Sequence, residues 1–264
     1  MCELFGMNSA RPAQVCAALE TFRLRGGHAA DNPDGWGLAY LENGAFRLHK
    51  EAVAGASNSL FGQLARSVRS ELILAHVRKA RYPRVNTFVN THPFMESCCG
   101  KQWVFAHNGL VPEIVEVERG NPSAVCRPEG QTDSEYAFCH LLGEIAHHFG
   151  TASPDDGGGW FEALAAVSEL IASSGKFNFL LSDGEYLIAY GHDRLHYTQR
   201  SVRNTFAAAE MDLAMIATEP LTAEDSWHAF QPGELRVYRL GRLVGRLKTR
   251  PRAADARVLS VPAV

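Results

Sequence analysis

Two helical stretches set in the middle of a chain of short strands constrain this fold more than any other feature of the sequence. Between Asp133 and Phe149, Tyr136, Leu141, Ile145 and their neighbours recur at intervals of three and four, the spacing of one helix face. A second helix is expected from Trp160 to Ala172, after a loop over 151–158 that is rich in Asp and Gly. Strand-like runs occupy 35–41, 46–50, 72–77 and 103–106 before these helices, and 177–182, 186–191, 213–217, 234–239 and 243–247 after them. Turn pairs punctuate the strands at Asn43-Gly44, Asp183-Gly184 and Gly241-Arg242. A shorter helix is expected from Ser59 to Val68, capped by Ser57 or Ser59. Strands, two central helices and further strands make an α+β layered sandwich the expected class.

Composition narrows the partners. Of the 264 residues 46% are hydrophobic, enough to bury a sizeable core. The formal charge is −3, from 26 basic and 29 acidic residues, so no electrostatic footprint for nucleic acid or an anionic membrane is present. Recognition is therefore expected to reside in a local site. No apolar run approaches the roughly 20 residues that span a bilayer. The start, Met1-Cys2-Glu3-Leu4-Phe5-Gly6-Met7, lacks the basic-then-apolar pattern of a signal peptide. Cysteines stand at 2, 16, 98, 99, 126 and 139 without a Cys-x-x-Cys pair, a spacing that predicts reduced thiols and a cytoplasmic protein. Residues 2–250 read as a single domain and 251–264 as a weakly held tail.

Four short segments carry chemistry. Removal of Met1 would give Cys2 a free α-amine, with a pKa near ~8 beside a thiol near ~8.5. One residue would then supply both nucleophile and general base. Ala106-His107-Asn108-Gly109 closes an apolar run, and an Asn amide with a backbone N–H beside glycine can donate to an oxyanion. Ala75-His76-Val77-Arg78 closes another, its arginine suited to clamp a carboxylate with two parallel bonds. Gln131-Thr132-Asp133-Ser134-Glu135 opens a helix with a carboxylate that can hold an ammonium group or simply cap the helix. A clamp, an amine holder, an oxyanion hole and a nucleophile together fit an α-amino acid whose side-chain carbonyl reaches Cys2, and glutamine has that shape. His76, His92 and His107 also lie near strand ends, but no His-x-x-x-His or Cys-x-x-Cys spacing supports a zinc site. Neither metal nor cofactor is expected. Cys98-Cys99 carries no thiol-protease signature and reads as a structural pair.

With these residues in view, the chain resembles the class II glutamine amidotransferases of the N-terminal-nucleophile hydrolase superfamily. The opening Met-Cys-Glu-Leu-Phe-Gly-Met, Arg25-Gly26-Gly27, Asp34-Gly35-Trp36-Gly37 and Asn90-Thr91-His92-Pro93-Phe94 resemble its short YafJ-like subfamily most. Ile216-Ala217-Thr218-Glu219-Pro220-Leu221 and Gln231-Pro232-Gly233-Glu234 are similar to the second half of the same domain. The resemblance implies a four-layer αββα sandwich with Cys2 as nucleophile, Asn108 and Gly109 as the oxyanion hole, Arg78 on the substrate carboxylate and Asp133 on its amine. It implies that Arg25 steadies the nucleophile loop, and it places His107 with the substrate-binding set. The family's Trp-Ala-Thr-His segment after the arginine is replaced here by Lys79-Ala80-Arg81-Tyr82. Glutamine, or another γ-glutamyl compound of glutathione-like type, is the expected substrate, with a separate protein as a candidate acceptor of released ammonia. A non-catalytic glutamine sensor is the third reading, which retention of Met1 would favour.

Overall fold

The structure is a computed structural model that describes residues 1–81, 83–149, 159–203 and 210–251. Its strands, thirteen among the described residues, form two antiparallel sheets. In the first, β1 (Glu3–Ala13) lies between β4 (Ser70–Arg78) and β10 (Glu210–Ala217). Beyond β4 follow β2 (Gly35–Glu42) and β3 (Ala45–Glu51), and beyond β10 follow β9 (His196–Arg203) and β11 (His228–Ala229). The second runs β5 (Phe94–Cys98), β6 (Lys101–Leu110), β7 (Lys176–Ser182), β8 (Tyr186–Gly191), β12 (Glu234–Arg239) and β13 (Arg242–Lys248).

Alternation along the strands explains how the sheets stack. In β1, Phe5 and Met7 pack with α1 (Cys16–Leu24) and α2 (Ser59–Ser67), whereas Leu4 packs toward the other sheet. In β6, Trp103 and Phe105 pack with α3 (Glu113–Gly120), α4 (Asp133–Phe149) and α5 (Trp160–Ala172), whereas Val104 and Ala106 turn inward. Three apolar layers therefore separate four structural ones, and the αββα sandwich expected from the resemblance is the architecture observed. Large rings anchor the outer layers: Trp36 of β2 stacks on Phe61 of α2 with centroids 4.5 Å apart, both fully buried. Burial of this kind stabilises by about 1.5–3 kcal/mol for a large apolar side chain.

The expected strands and both central helices are present, within a few residues at their ends. The α2 cap is Asn58, whose side chain accepts from Phe61 N, and neither Ser57 nor Ser59 serves. The last hairpin turns at Leu240-Gly241, both at positive φ, one residue before the expected pair. Strands β1, β5, β9 and β11 and helices α1 and α3 were not foreseen from pattern alone. The expectation of fully reduced thiols is corrected: Cys126 and Cys139 form a disulfide joining the segment before α4 to its second turn. No Cys-x-x-Cys pattern signals it, because the pair forms only when that segment folds back along the helix. The 151–158 loop, Tyr82 and the tail from residue 252 lie outside the described residues. Among the described residues, no helix is long and apolar enough to cross a membrane.

Gly37 shows why the Asp34-Gly35-Trp36-Gly37 segment carries glycine. A Cβ there would stand 2.1 Å from the carbonyl oxygen of His92 and 2.7 Å from Cδ of Pro93. Backbone meets backbone, so a side chain has no room to move aside. Gly37→Ala is expected to cost stability by about 1–3 kcal/mol, measurable as a lower urea midpoint with an unchanged m-value.

Candidate active site

Cys2 immediately precedes β1, and the carbonyl of the same residue faces the opposite sheet. Its Sγ accepts a hydrogen bond from Lys79 N at 3.2 Å and donates toward Lys79 O at 3.4 Å. The replacement segment after Arg78 thus holds Cys2 through its backbone, which any side chain permits. Ala80 N donates to Asp34 Oδ2 at 2.7 Å and Lys79 Nζ pairs with Asp31 Oδ1 at 2.8 Å, fixing that segment to the loop before β2. On the other face of β1, Glu3 forms an ion pair with Arg25, and Asn32 donates to the Arg25 carbonyl at 3.2 Å. Arg25 therefore pairs with the residue next to Cys2, from the helix side of the sheet.

Asn108 and Gly109 lie near the end of β6 in the second sheet. The inward parity of Val104 and Ala106 carries Asn108 Nδ2 to Cys2 O at 2.5 Å and to Thr218 Oγ1 at 3.4 Å. Asn178 of β7 donates to the Asn108 carbonyl at 3.1 Å, while its Oδ1 accepts from the N–H groups of His192, Asp193 and Arg194. At Gly109 an added Cβ would stand 1.7 Å from the Lys176 carbonyl oxygen, so this close strand contact admits only glycine.

Arg78, at the end of β4, is buried and donates to Val85 O at 3.1 Å and Asn86 Oδ1 at 3.3 Å. Asp133, buried in the first turn of α4, accepts from Val111 N at 2.7 Å and Ser134 N at 2.9 Å. Its Oδ1 also lies 3.5 Å from Ser134 Oγ, while Oδ2 retains a lone pair for a further donor. His107 points to the opposite face of β6 from Asn108, bonded to Ser134 Oγ at 2.8 Å and to the Lys176 carbonyl at 3.1 Å. In this structure it braces β6 against α4 and β7.

Burial pushes the Cys2 thiol above its ordinary pKa, against the opposing pull of the Lys79 N–H, the Arg78 charge and the chain-terminal ammonium. His76 and His92 stack with centroids 4.2 Å apart, and burial holds His76 down to about 3 and His92 well below the ordinary range. Both are therefore neutral near pH 7, and His107 faces away from them toward α4. Among the described residues no group of three or more His, Cys, Asp or Glu side chains is placed to hold a metal. Cys98 and Cys99 lie with sulfurs 2.6 Å apart under β5, and burial pushes Cys98 up to about 12. A cavity of about 190 Å³, lined by residues including Lys50, Phe94, Glu135 and Phe138, shares α4 with this region but contains none of Cys2, Arg78, Asn108 or Asp133.

The sequence reading assigned no role to Thr218, Asn178 or Asp34. Asn178 did leave a signal, a lone amide within the apolar run Phe177-Asn178-Phe179-Leu180-Leu181.

Comparison with known proteins gives this arrangement its context. The fold is that of the N-terminal-nucleophile hydrolases: the chain superposes on glutamine phosphoribosylpyrophosphate amidotransferase from B. subtilis with a TM-score of 0.64 at 15% identity, over 94% of this chain and 49% of that one. A crystal structure of a predicted glutamine amidotransferase from Pseudomonas aeruginosa PA01 matches with a TM-score of 0.68 at 28% identity, over 92% of this chain and all of that one. The family profile of the class-II glutamine amidotransferases matches residues 1–260, and the chain belongs to that family. It is 34% identical over 263 residues to YafJ of Escherichia coli strain K12, covering 92% of this chain and all of YafJ. It is also 26% identical over 205 residues to the gamma-glutamyl-hercynylcysteine sulfoxide hydrolase of Mycobacterium tuberculosis strain CDC 1551 / Oshkosh, covering 76% of this chain and 72% of that protein.

The Cys2 environment makes a measurable statement. Iodoacetamide alkylation of Cys2, followed across pH in the chain that retains Met1, is expected to have its midpoint above the ordinary thiol value near ~8.5. Arg78→Gln removes a cation that favours the thiolate and is expected to move the midpoint higher still. A midpoint below the ordinary value would contradict the burial argument.

Proposed function

We propose that this protein hydrolyses the γ-amide of glutamine through a γ-glutamyl thioester on Cys2, within a catalytic unit spanning residues 2–250. The observation that carries this reading is the junction at which the Cys2 carbonyl meets the Asn108 amide, 2.5 Å apart, with Arg78 and Asp133 buried nearby. On loss of Met1 the Cys2 α-amine takes the thiol proton as the sulfur electron pair forms the C–S bond, and the carbonyl π electrons move to oxygen, facing Asn108 and Gly109. The carbonyl re-forms as the C–N bond breaks, and the α-ammonium returns the proton to the departing nitrogen, releasing ammonia. Water, deprotonated by the same amine, adds to the thioester, and glutamate leaves as sulfur recovers its proton. Arg78 and Asp133 supply opposite charges for the two ends of the amino-acid head group, which orients the γ-carbonyl toward Cys2.

A second reading, hydrolysis of a larger γ-glutamyl compound with release of an amine, draws support from the likeness to the mycobacterial hydrolase. The two share every step up to the departing nitrogen. Transfer of the ammonia to a separate protein remains part of the first reading.

Glutamate release from L-glutamine and from γ-glutamyl peptides, measured in parallel on Met1-processed protein, tests the proposal. Asn108→Ala is expected to lower the rate by about 10²–10³ while the chain still folds. Cys2→Ala is expected to abolish release. An unchanged rate in either variant would remove that residue from the site, and the preferred substrate decides between the two readings.

A further inference from the structure

The Asn108 side-chain amide carries two N–H donors, and two acceptors already face its nitrogen, Cys2 O at 2.5 Å and Thr218 Oγ1 at 3.4 Å. An oxyanion that takes a hydrogen bond from the same nitrogen has to displace one of them. The two bonds are unequal, and the one at 3.4 Å lies beyond the usual N–H···O range, so it is the cheaper to give up.

Thr218 is placed with little freedom. It is fully buried, and its backbone N–H donates to Leu4 O at 3.0 Å. Its hydroxyl oxygen accepts the Leu4 N–H at 2.9 Å, and its carbonyl lies 3.0 Å from His196 Nδ1. The nucleophile strand itself therefore fixes the oxygen, whose second lone pair is left for Asn108. From the other side, Asn178 holds the Asn108 backbone carbonyl and so fixes the main chain from which the amide projects.

We propose that Thr218 is a positioning residue that stores one Asn108 N–H in a long, weak bond and releases it to the substrate's γ-carbonyl oxygen as negative charge develops. No proton is transferred and no covalent bond changes at Thr218; one hydrogen bond changes partner. Until then Thr218 keeps the amide oriented, so that the charge-assisted bond forms in the transition state without a search for the right rotamer, the advantage of a preorganised donor. The proposal rests on the reading of Cys2 as nucleophile and Asn108 as oxyanion donor.

The test compares Thr218→Val, which keeps the shape and removes the acceptor, with Thr218→Ser, which keeps the hydroxyl. Steady-state glutamate release from L-glutamine is read beside the rate of Cys2 alkylation by iodoacetamide, a displacement that needs no oxyanion hole. Thr218→Val is expected to lower kcat about tenfold or more with KM and the alkylation rate within twofold of wild type, and Thr218→Ser is expected to restore kcat. An unchanged kcat in Thr218→Val, or turnover and alkylation falling together, would overturn the proposal, the latter because Thr218 would then merely hold β1 in place. A Cys2→Ala control that releases glutamate at the wild-type rate would overturn the nucleophile assignment and this proposal with it. An inactive Cys2→Ala beside a fully active Thr218→Val would overturn the Thr218 role alone.

Discussion

The hydrogen bond from Asn108 Nδ2 to Cys2 O crosses from one sheet to the other, and the rest of the site depends on that crossing. Face-packed sheets stand about 10 Å apart, a gap that short side chains bridge only where the interface is thin. Ala39, Ala106, Ala189 and Ala214 belong to the inter-sheet core beside larger side chains such as Leu4 and Leu180, and a Cβ at Gly6 would already stand 3.0 Å from Leu180 Cδ1. The inter-sheet core thus sets the Cys2–Asn108 junction as well as the fold. A larger side chain at Ala106 would press on the same spacing that sets the distance between Cys2 and the amide.

Around that junction, backbone groups carry much of the placement. Cys2 Sγ is held by both polar groups of the Lys79 backbone, Arg78 by the Val85 carbonyl, and Asp133 by the Val111 and Ser134 N–H groups. Asn178 gathers three successive N–H groups and passes that rigidity to Asn108. Polar groups fixed in this way need little rearrangement as charge develops, which is where electrostatic stabilisation in buried sites has its advantage. The same arrangement explains how the segment after Arg78 departs from the family's side chains while still holding Cys2: what it supplies is main chain.

The sequence made the layers legible because a strand buried on one face advertises its period, as 72–77 and 103–106 do before the helices. It left β1 unread, since Glu3–Ala13 mixes Gly6, Asn8, Ser9, Arg11 and Pro12 among its apolar residues. Asn8 belongs there because its Oδ1 accepts from Gly241 N at 2.7 Å, a contact 233 residues away that no local pattern can encode. Cys2, Arg78, Asn108 and Asp133 were legible as chemistry, each at a strand or helix end. Thr218 and Asn178 contact Asn108 from strands and loops distant in sequence, and the Cys126–Cys139 bond depends on a loop folding back, so these contacts emerge only from tertiary packing. His107 was legible as a polar neighbour of Asn108, yet strand alternation sends the two side chains to opposite faces of β6.

On the proposed reading, the electrostatics favour a base within Cys2 itself. Burial disfavours the Cys2 thiolate, and the Arg78 charge is one of the influences that counter it. On the proposed reading, the substrate carboxylate neutralises Arg78 and the substrate ammonium neutralises Asp133. Binding thereby withdraws the cation's help from the thiolate at the moment attack is required. A persistent thiolate in the loaded site is then costly, and proton removal has to accompany C–S bond formation. An α-amine on the same residue meets that demand without a diffusing partner. The charges left uncompensated by substrate binding are the ammonium of Cys2 and the oxyanion facing Asn108, opposite in sign and created together. That pairing lets a site this deeply buried develop charge without paying for an isolated ion.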